Sequence, residues 1–214
     1  KSQVQVEVIT TDYIHGIKQH ITKPSAEYPF RITLLHESGY SKNVCLKRFF
    51  SHYIFGKNVA AYLAKRKKPD VIYAAVPSLT APFEAARYCA RTRTRFVIDV
   101  QDLWPEAFQM VFNVPVISFM VFAPFRYMAN KVYAAADGIC AVSSTYLMRA
   151  LSVNHKCEQG TVVFLGTCLQ IFDEKKKLAP DLNKPDGEVW MAYIGTLGHS
   201  YDLTCIMDAM VLLR

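Results

Sequence analysis

Several patterns that would mark a function at once are missing from these 214 residues. The longest nearly apolar run, residues 111–125, is interrupted by Asn113, Pro115 and Pro124. A bilayer span needs roughly 20 apolar residues, so no membrane-spanning segment is expected. The six cysteines (Cys45, Cys89, Cys140, Cys157, Cys168, Cys205) are scattered without a CxxC pair. That excludes the usual thiolate metal frameworks and suits a reducing, cytoplasmic compartment. The six histidines form no HxH or HExxH pair, so no metal centre is expected. A nucleophile elbow, a GxGxxG fingerprint and a P-loop are also absent.

The chain is 51% hydrophobic and 20% charged, enough apolar surface for a sizeable core, which excludes a disordered chain. Its net charge of +7 suits an anionic partner such as a phosphate or a lipid surface. The run Lys65-Arg66-Lys67-Lys68 stands just before Pro69, where cations complement a helix C-terminus, and reads as a solvated helix end. Short apolar runs predict strands over residues 4–10, 30–35, 71–76, 95–100, 138–142, 161–165 and 189–194. Helical spacing predicts helices over 44–66, 79–91, 116–136, 144–151 and 203–213. Fully apolar strands alternating with helices predict a doubly wound α/β fold, its parallel sheet covered on both faces.

Residues 172–188 turn polar and are punctuated by Pro180, Pro185 and Gly187, which reads as a linker. The boundary falls near Asp181, with residues 1–180 as one domain and residues 181–214 as the start of a second. The chain opens directly on a strand and ends in an uncapped helix, so it reads as a piece of a longer protein.

In open α/β sheets, ligands bind beyond the carboxyl ends of the strands. After the strand at 95–100 come Gln101, Asp102, Leu103, Trp104, Pro105 and Glu106. Asp99 lies within the strand, Asp102 just past its end, and Glu106 in the first turn of the next element. Two carboxylates and an indole there suit hydroxyl-rich or cationic groups. The plainer reading, Asp102 as a helix cap, stands beside it. Tyr193, Ile194, Gly195, Thr196, Leu197 and Gly198 join a strand to a helix, and the paired glycines allow close backbone approach to a phosphate. Gly166 marks a third turn; for both, an ordinary glycine turn is the alternative.

These segments together resemble the retaining glycosyltransferases of family 4, which have the two-domain GT-B fold. Asp102-Leu103-Trp104-Pro105-Glu106 resembles the signature of members that build bacterial surface polysaccharides. The stretch from Ala136 to Ser143 is similar to the family's strand ending in Val-Ser, and Phe164 through Phe172 to its interdomain turn. Tyr193 to Gly198 resembles the opening turn of the nucleotide-binding domain. The order of all four agrees with the family along essentially the whole chain, although Cys168 stands where the interdomain turn usually has Asp.

The resemblance implies a Rossmann-like acceptor-side domain that lacks its first strand, followed by the first β-α unit of the donor domain. It implies transfer from a nucleotide-sugar to a lipid-linked or other glycan acceptor, with retention and without a required metal or other cofactor. Asp102 would be catalytic, Asp99, Trp104 and Glu106 would bind acceptor, and Gly166, Gly195, Thr196 and Gly198 would bind donor. Partners would include an anionic membrane surface, fitted by the basic and aromatic residues 47–57, for which a buried helix carrying a few Lys is the alternative, but no nucleic acid. Residues 1–214 alone would be inactive. The competing expectation is another nucleotide-binding α/β protein, such as a sugar-nucleotide epimerase of GT-B fold or a dinucleotide oxidoreductase.

Overall fold

The computed structural model of the chain describes residues 4–42, 45–76, 78–109, 117–178, 183–195 and 202–213. The first strand, β1 (Glu7–Thr11), is followed by a small antiparallel hairpin of β2 (Tyr13–Ile14) and β3 (Gln19–His20). Next come β4 (Arg31–Leu35), the long helix α1 (Leu46–Lys65), β5 (Val71–Ala75), α2 (Thr80–Thr92) and β6 (Arg95–Val100). Three helices, α3 (Glu106–Gln109), α4 (Ile117–Val121) and α5 (Ala123–Ala135), lead to β7 (Gly138–Ala141) and α6 (Ser144–Leu151). The remaining elements are β8 (Thr161–Val162), α7 (Leu169–Lys177) and α8 (Thr204–Leu212).

The protein is a mixed α/β structure around a parallel sheet in the order β5-β6-β7-β8. A second parallel pair, β1-β4, stands apart from it. Among the described residues, neither β1 nor β5 is paired on its remaining edge. Alternation along the strands builds the core. Phe96, Ile98 and Val100 of β6 are at most 1% exposed and pack with Ile139, Ala141 and the inner residues of α1, α2 and α5. Each such side chain contributes about 1.5–3 kcal/mol by leaving water.

Local chemistry sets the element ends. The Ser143 hydroxyl accepts from the Tyr146 amide and caps α6. Arg93, left-handed at φ 53°, turns the chain out of α2 into β6. Asn154 donates to the Tyr133 and Ala136 carbonyls and so ties down the end of α5. A Cβ on Gly56 would stand 3.0 Å from Thr80, so glycine lets α1 and α2 approach closely.

Four expectations need correction. The opposite sheet face is not covered: Val71, Tyr73, Ala75, Val97, Asp99 and Cys140 are all exposed or only half-buried. Residues 189–194 form no strand, because no described segment offers them a ladder. The linker expected from residue 172 begins instead as the end of α7, whose Lys175, Lys176 and Lys177 complement the helix C-terminus. The strand at 161–165 stops at Val162. Asp181 lies outside the described residues, and no described residue from Val163 onward is buried.

Candidate functional site

The carboxyl ends of all the parallel strands point to one rim, and the polar chemistry gathers there. Glu106 opens α3, as its position after Pro105 predicts. The Asp102 carboxylate accepts from the Leu103 amide through Oδ1 (2.9 Å) and from the Trp104 indole N–H through Oδ2 (2.9 Å). Both oxygens thus serve the turn, while the residue stays half-exposed and retains spare acceptor capacity.

Trp104 is 5% exposed, so its ring is not an open platform. Its faces and edges are taken by His52 (stacked, centroids 5.6 Å apart), Phe108 (4.6 Å) and the Arg48 guanidinium (5.1 Å). Glu106 accepts from Arg149 Nε at 2.6 Å, and Arg149 also donates to Asn130. Glu106 Oε2 and the Tyr133 hydroxyl are both buried without a partner among the described residues. Burial, and then the nearby Glu106 charge, hold the Tyr133 phenol protonated far beyond its ordinary range. Asp99 is separated from this group. It accepts from Gln101 and lies on the uncovered sheet face beside Tyr73, whose pKa is pushed up to about 12 by desolvation and the Asp99 charge.

The structure joins to Asp102 and Trp104 residues that the sequence motifs did not single out. Glu37 is 5% exposed and accepts from the Ser51 hydroxyl, which itself accepts from the Gly39 amide. His52 Nε2 lies 3.9 Å from Glu37 Oε1, and its Nδ1 is buried without a partner among the described residues. Burial drives the His52 pKa down to about 4 against the pull of Glu37, with Arg48 adding to the depression. His52 is therefore neutral at physiological pH, a hydrogen-bonding group rather than a cation. His15 meets the Tyr40 hydroxyl, and Tyr13 donates to the Tyr40 carbonyl.

Beside this group, Asp12 follows β1 and His36 follows β4. Asp12 Oδ1 lies 3.2 Å from His20 Nδ1, and Oδ2 lies 3.0 Å from His36 Nδ1. The Glu37 amide donates to Asp12 Oδ1 and links the two clusters. An open hollow of about 330 Å³ runs from His36 between β4 and α1, past Asn58, Tyr62 and Lys65.

Part of this group does carry a sequence signal. Taking the first two residues past each strand end, the window that holds Asp102, also gives Asp12 and His36. His52 carries no comparable mark, because it lies within a helix and reaches Trp104 only through folding. Of the other expected site residues, Gly166 and Gly195 are exposed, and Thr196 and Gly198 lie outside the described residues. Compared with known proteins, the chain matches no family model and no curated protein.

Proposed function

We propose that the chain is the acceptor-side part of a retaining glycosyltransferase, moving a sugar from a nucleotide-sugar to a lipid-linked or other glycan acceptor. One observation carries this reading: neutral and anionic hydrogen-bonding groups (His52, Asp102, Glu37 and Asp12) converge on the rim where an α/β sheet binds its ligands. Such groups suit sugar hydroxyls, which both donate and accept. Asp102 holds the Trp104 turn and presents its remaining lone pairs to an acceptor hydroxyl. Asp99 lies on the other sheet face and Trp104 is enclosed by its neighbours, while Glu106, paired with Arg149 and 34% exposed, stays available to an acceptor. Gly195, Thr196 and Gly198 supply a backbone approach to the donor diphosphate, with Gly166 in the preceding turn.

Sheet topology supports the Rossmann-like, GT-B part of the proposal. One further parallel strand between β1 and β5 would satisfy both free edges. A right-handed crossover from it to β1 runs opposite to the β5-to-β8 progression, so its helix falls on the face now uncovered. The membrane part rests on Leu46, Phe50 and Tyr53, which are 86%, 59% and 49% exposed among Lys47 and Lys57. Among the described residues, no helix is long and apolar enough to cross a membrane. Contact is therefore with an anionic surface and weakens with rising salt, once the Debye length falls below about 10 Å. Salt-independent vesicle binding removes that part.

Ligand-observed NMR on the 214-residue chain tests the central claim with short glycans and with uridine and guanosine diphosphate sugars. Glycans are expected to bind and to lose contact in His52→Ala. No glycan binding, or binding indifferent to His52, overturns the proposal.

A further inference from the structure

We propose that Asp12, His20 and His36 form a binding site for a divalent transition-metal ion of the zinc class. One nitrogen from each imidazole and a carboxylate oxygen lie within 4.8 Å of one another. The Nδ1-to-oxygen separations of 3.2 and 3.0 Å are close to the roughly 3.3 Å between neighbouring ligand atoms on a tetrahedral ion with bonds of about 2.0–2.1 Å. Two imidazoles and one carboxylate are also the donor set such ions favour, whereas magnesium and calcium prefer oxygen alone.

The set is held from three directions. The Asp12 amide donates to the Leu35 carbonyl, its carbonyl accepts from Ile21, and its carboxylate accepts from the Glu37 amide. His36 stands directly after β4, and its carbonyl accepts from Asn58. His20 closes the hairpin, and its ring lies against Tyr13 on one side and stacks 5.4 Å from His36 on the other. Stacking two histidines with both Nδ1 atoms turned to one carboxylate gives a convergent set.

The His20 and His36 side chains are 43% and 62% exposed, so a fourth coordination position would open to solvent at the rim. Three protein ligands with an open position is the pattern of a site that takes a further ligand, such as water or an anionic oxygen. This site shares Asp12 with the rim on which the proposed function rests, but no metal is invoked for the proposed glycosyl transfer. The ligands stand 8 and 16 residues apart in sequence, which is why no spacing motif announced them.

The test uses the intact chain and the metal alone. Calorimetry with zinc, with the cysteines blocked by alkylation, is expected to show one equivalent bound. His20→Asn and His36→Asn should each weaken binding by more than the roughly 10–100-fold that outer partners of a metal site are worth. His155→Asn, at an exposed position elsewhere, should leave it unchanged. Cobalt should give the absorption of a tetrahedral nitrogen and oxygen site in the parent chain, and lose it in both variants. Asp12→Asn, which keeps an acceptor for the Glu37 amide, should retain the fold and lose affinity. Binding that survives in both histidine variants, or that vanishes once the cysteines are blocked, overturns the proposal.

Discussion

The two parallel sheets are held together by different physics. In β5-β6-β7-β8 the inner side chains are apolar and nearly sealed, with Ile98, Val100 and Ala141 at 0% exposure. In β1-β4 no residue is buried, and the centre is Glu7. Its carboxylate accepts from Thr33 and Tyr62, pairs closely with Arg66 and lies 3.6 Å from Arg31. One half relies on exclusion of water, which tolerates many arrangements of similar volume. The other relies on a polar hub, in which each lost partner leaves a group unsatisfied.

The largest break of that contrast is Ile98→Ala. The side chain is fully enclosed between strands and helices, and truncation leaves a cavity that packed neighbours fill only in part. A loss of about 2–5 kcal/mol is expected, with the melting temperature of the whole protein falling. Chemical denaturation measures it, and a loss under about 1 kcal/mol would mean that this half is not the stabilising core.

Glu7→Gln strikes the other half. Burial raises the Glu7 pKa, but hydrogen bonds from Thr33 and Tyr62 and the Arg66 charge outweigh it and hold the carboxylate below its ordinary value. A depressed carboxylate stabilises the fold fully above the unfolded pKa and loses that contribution as pH falls through the folded value. Acid below about pH 4 should therefore open β1-β4 while β6 stays protected, as hydrogen exchange at individual amides would show. The Gln variant should cost about 2 kcal/mol locally at neutral pH and remove this part of the acid response.

The same contrast decides what could be read from sequence. The limits of β6 and α6 agree with the apolar pattern because burial alone specifies them. For β1, alternation gives two faces, and only the fold says which one the enclosed Glu7 occupies. Residues 189–194 have strand composition but no partner, and composition cannot supply one. Around the site, Asp102-Leu103-Trp104-Pro105-Glu106 stood out as a contiguous segment. His52, Glu37 and His20 became neighbours only through the packing of α1 and the β2-β3 hairpin. Contacts between residues distant in sequence are invisible to spacing rules.

His52 sharpens the comparison, since it is a polar group placed among the packed rings of Trp104 and Tyr40. With a folded pKa of about 4 and an ordinary value of about 6.5, the unfolded chain binds the proton more readily between them. Stability should be complete above about pH 6.5 and fall as pH drops toward 4. His52→Gln should flatten that slope without abolishing folding. An unchanged slope in urea denaturation across this range would mean that His52 is solvated rather than packed.

The smallest effect is expected at Asp102, which lies at the packed end of β6 but acts through two hydrogen bonds. In Asp102→Asn the single carboxamide oxygen can accept from the Leu103 amide or from the Trp104 indole, but not serve both as the two carboxylate oxygens do. Its NH2 group would then face a donor. The carboxamide keeps an oxygen where Oδ1 stood, so the Leu103 contact should survive and the indole contact should be lost, costing about 1 kcal/mol. At this chain length that is about 2–4 °C in melting temperature. Because His52 and Phe108 still enclose the ring, Trp104 should remain buried, and its fluorescence should shift little. Glycan contact measured by NMR separates the two roles of Asp102. A stability loss of this size with unchanged glycan binding leaves it a turn-forming residue, whereas a larger loss of binding than of stability makes it part of the acceptor site.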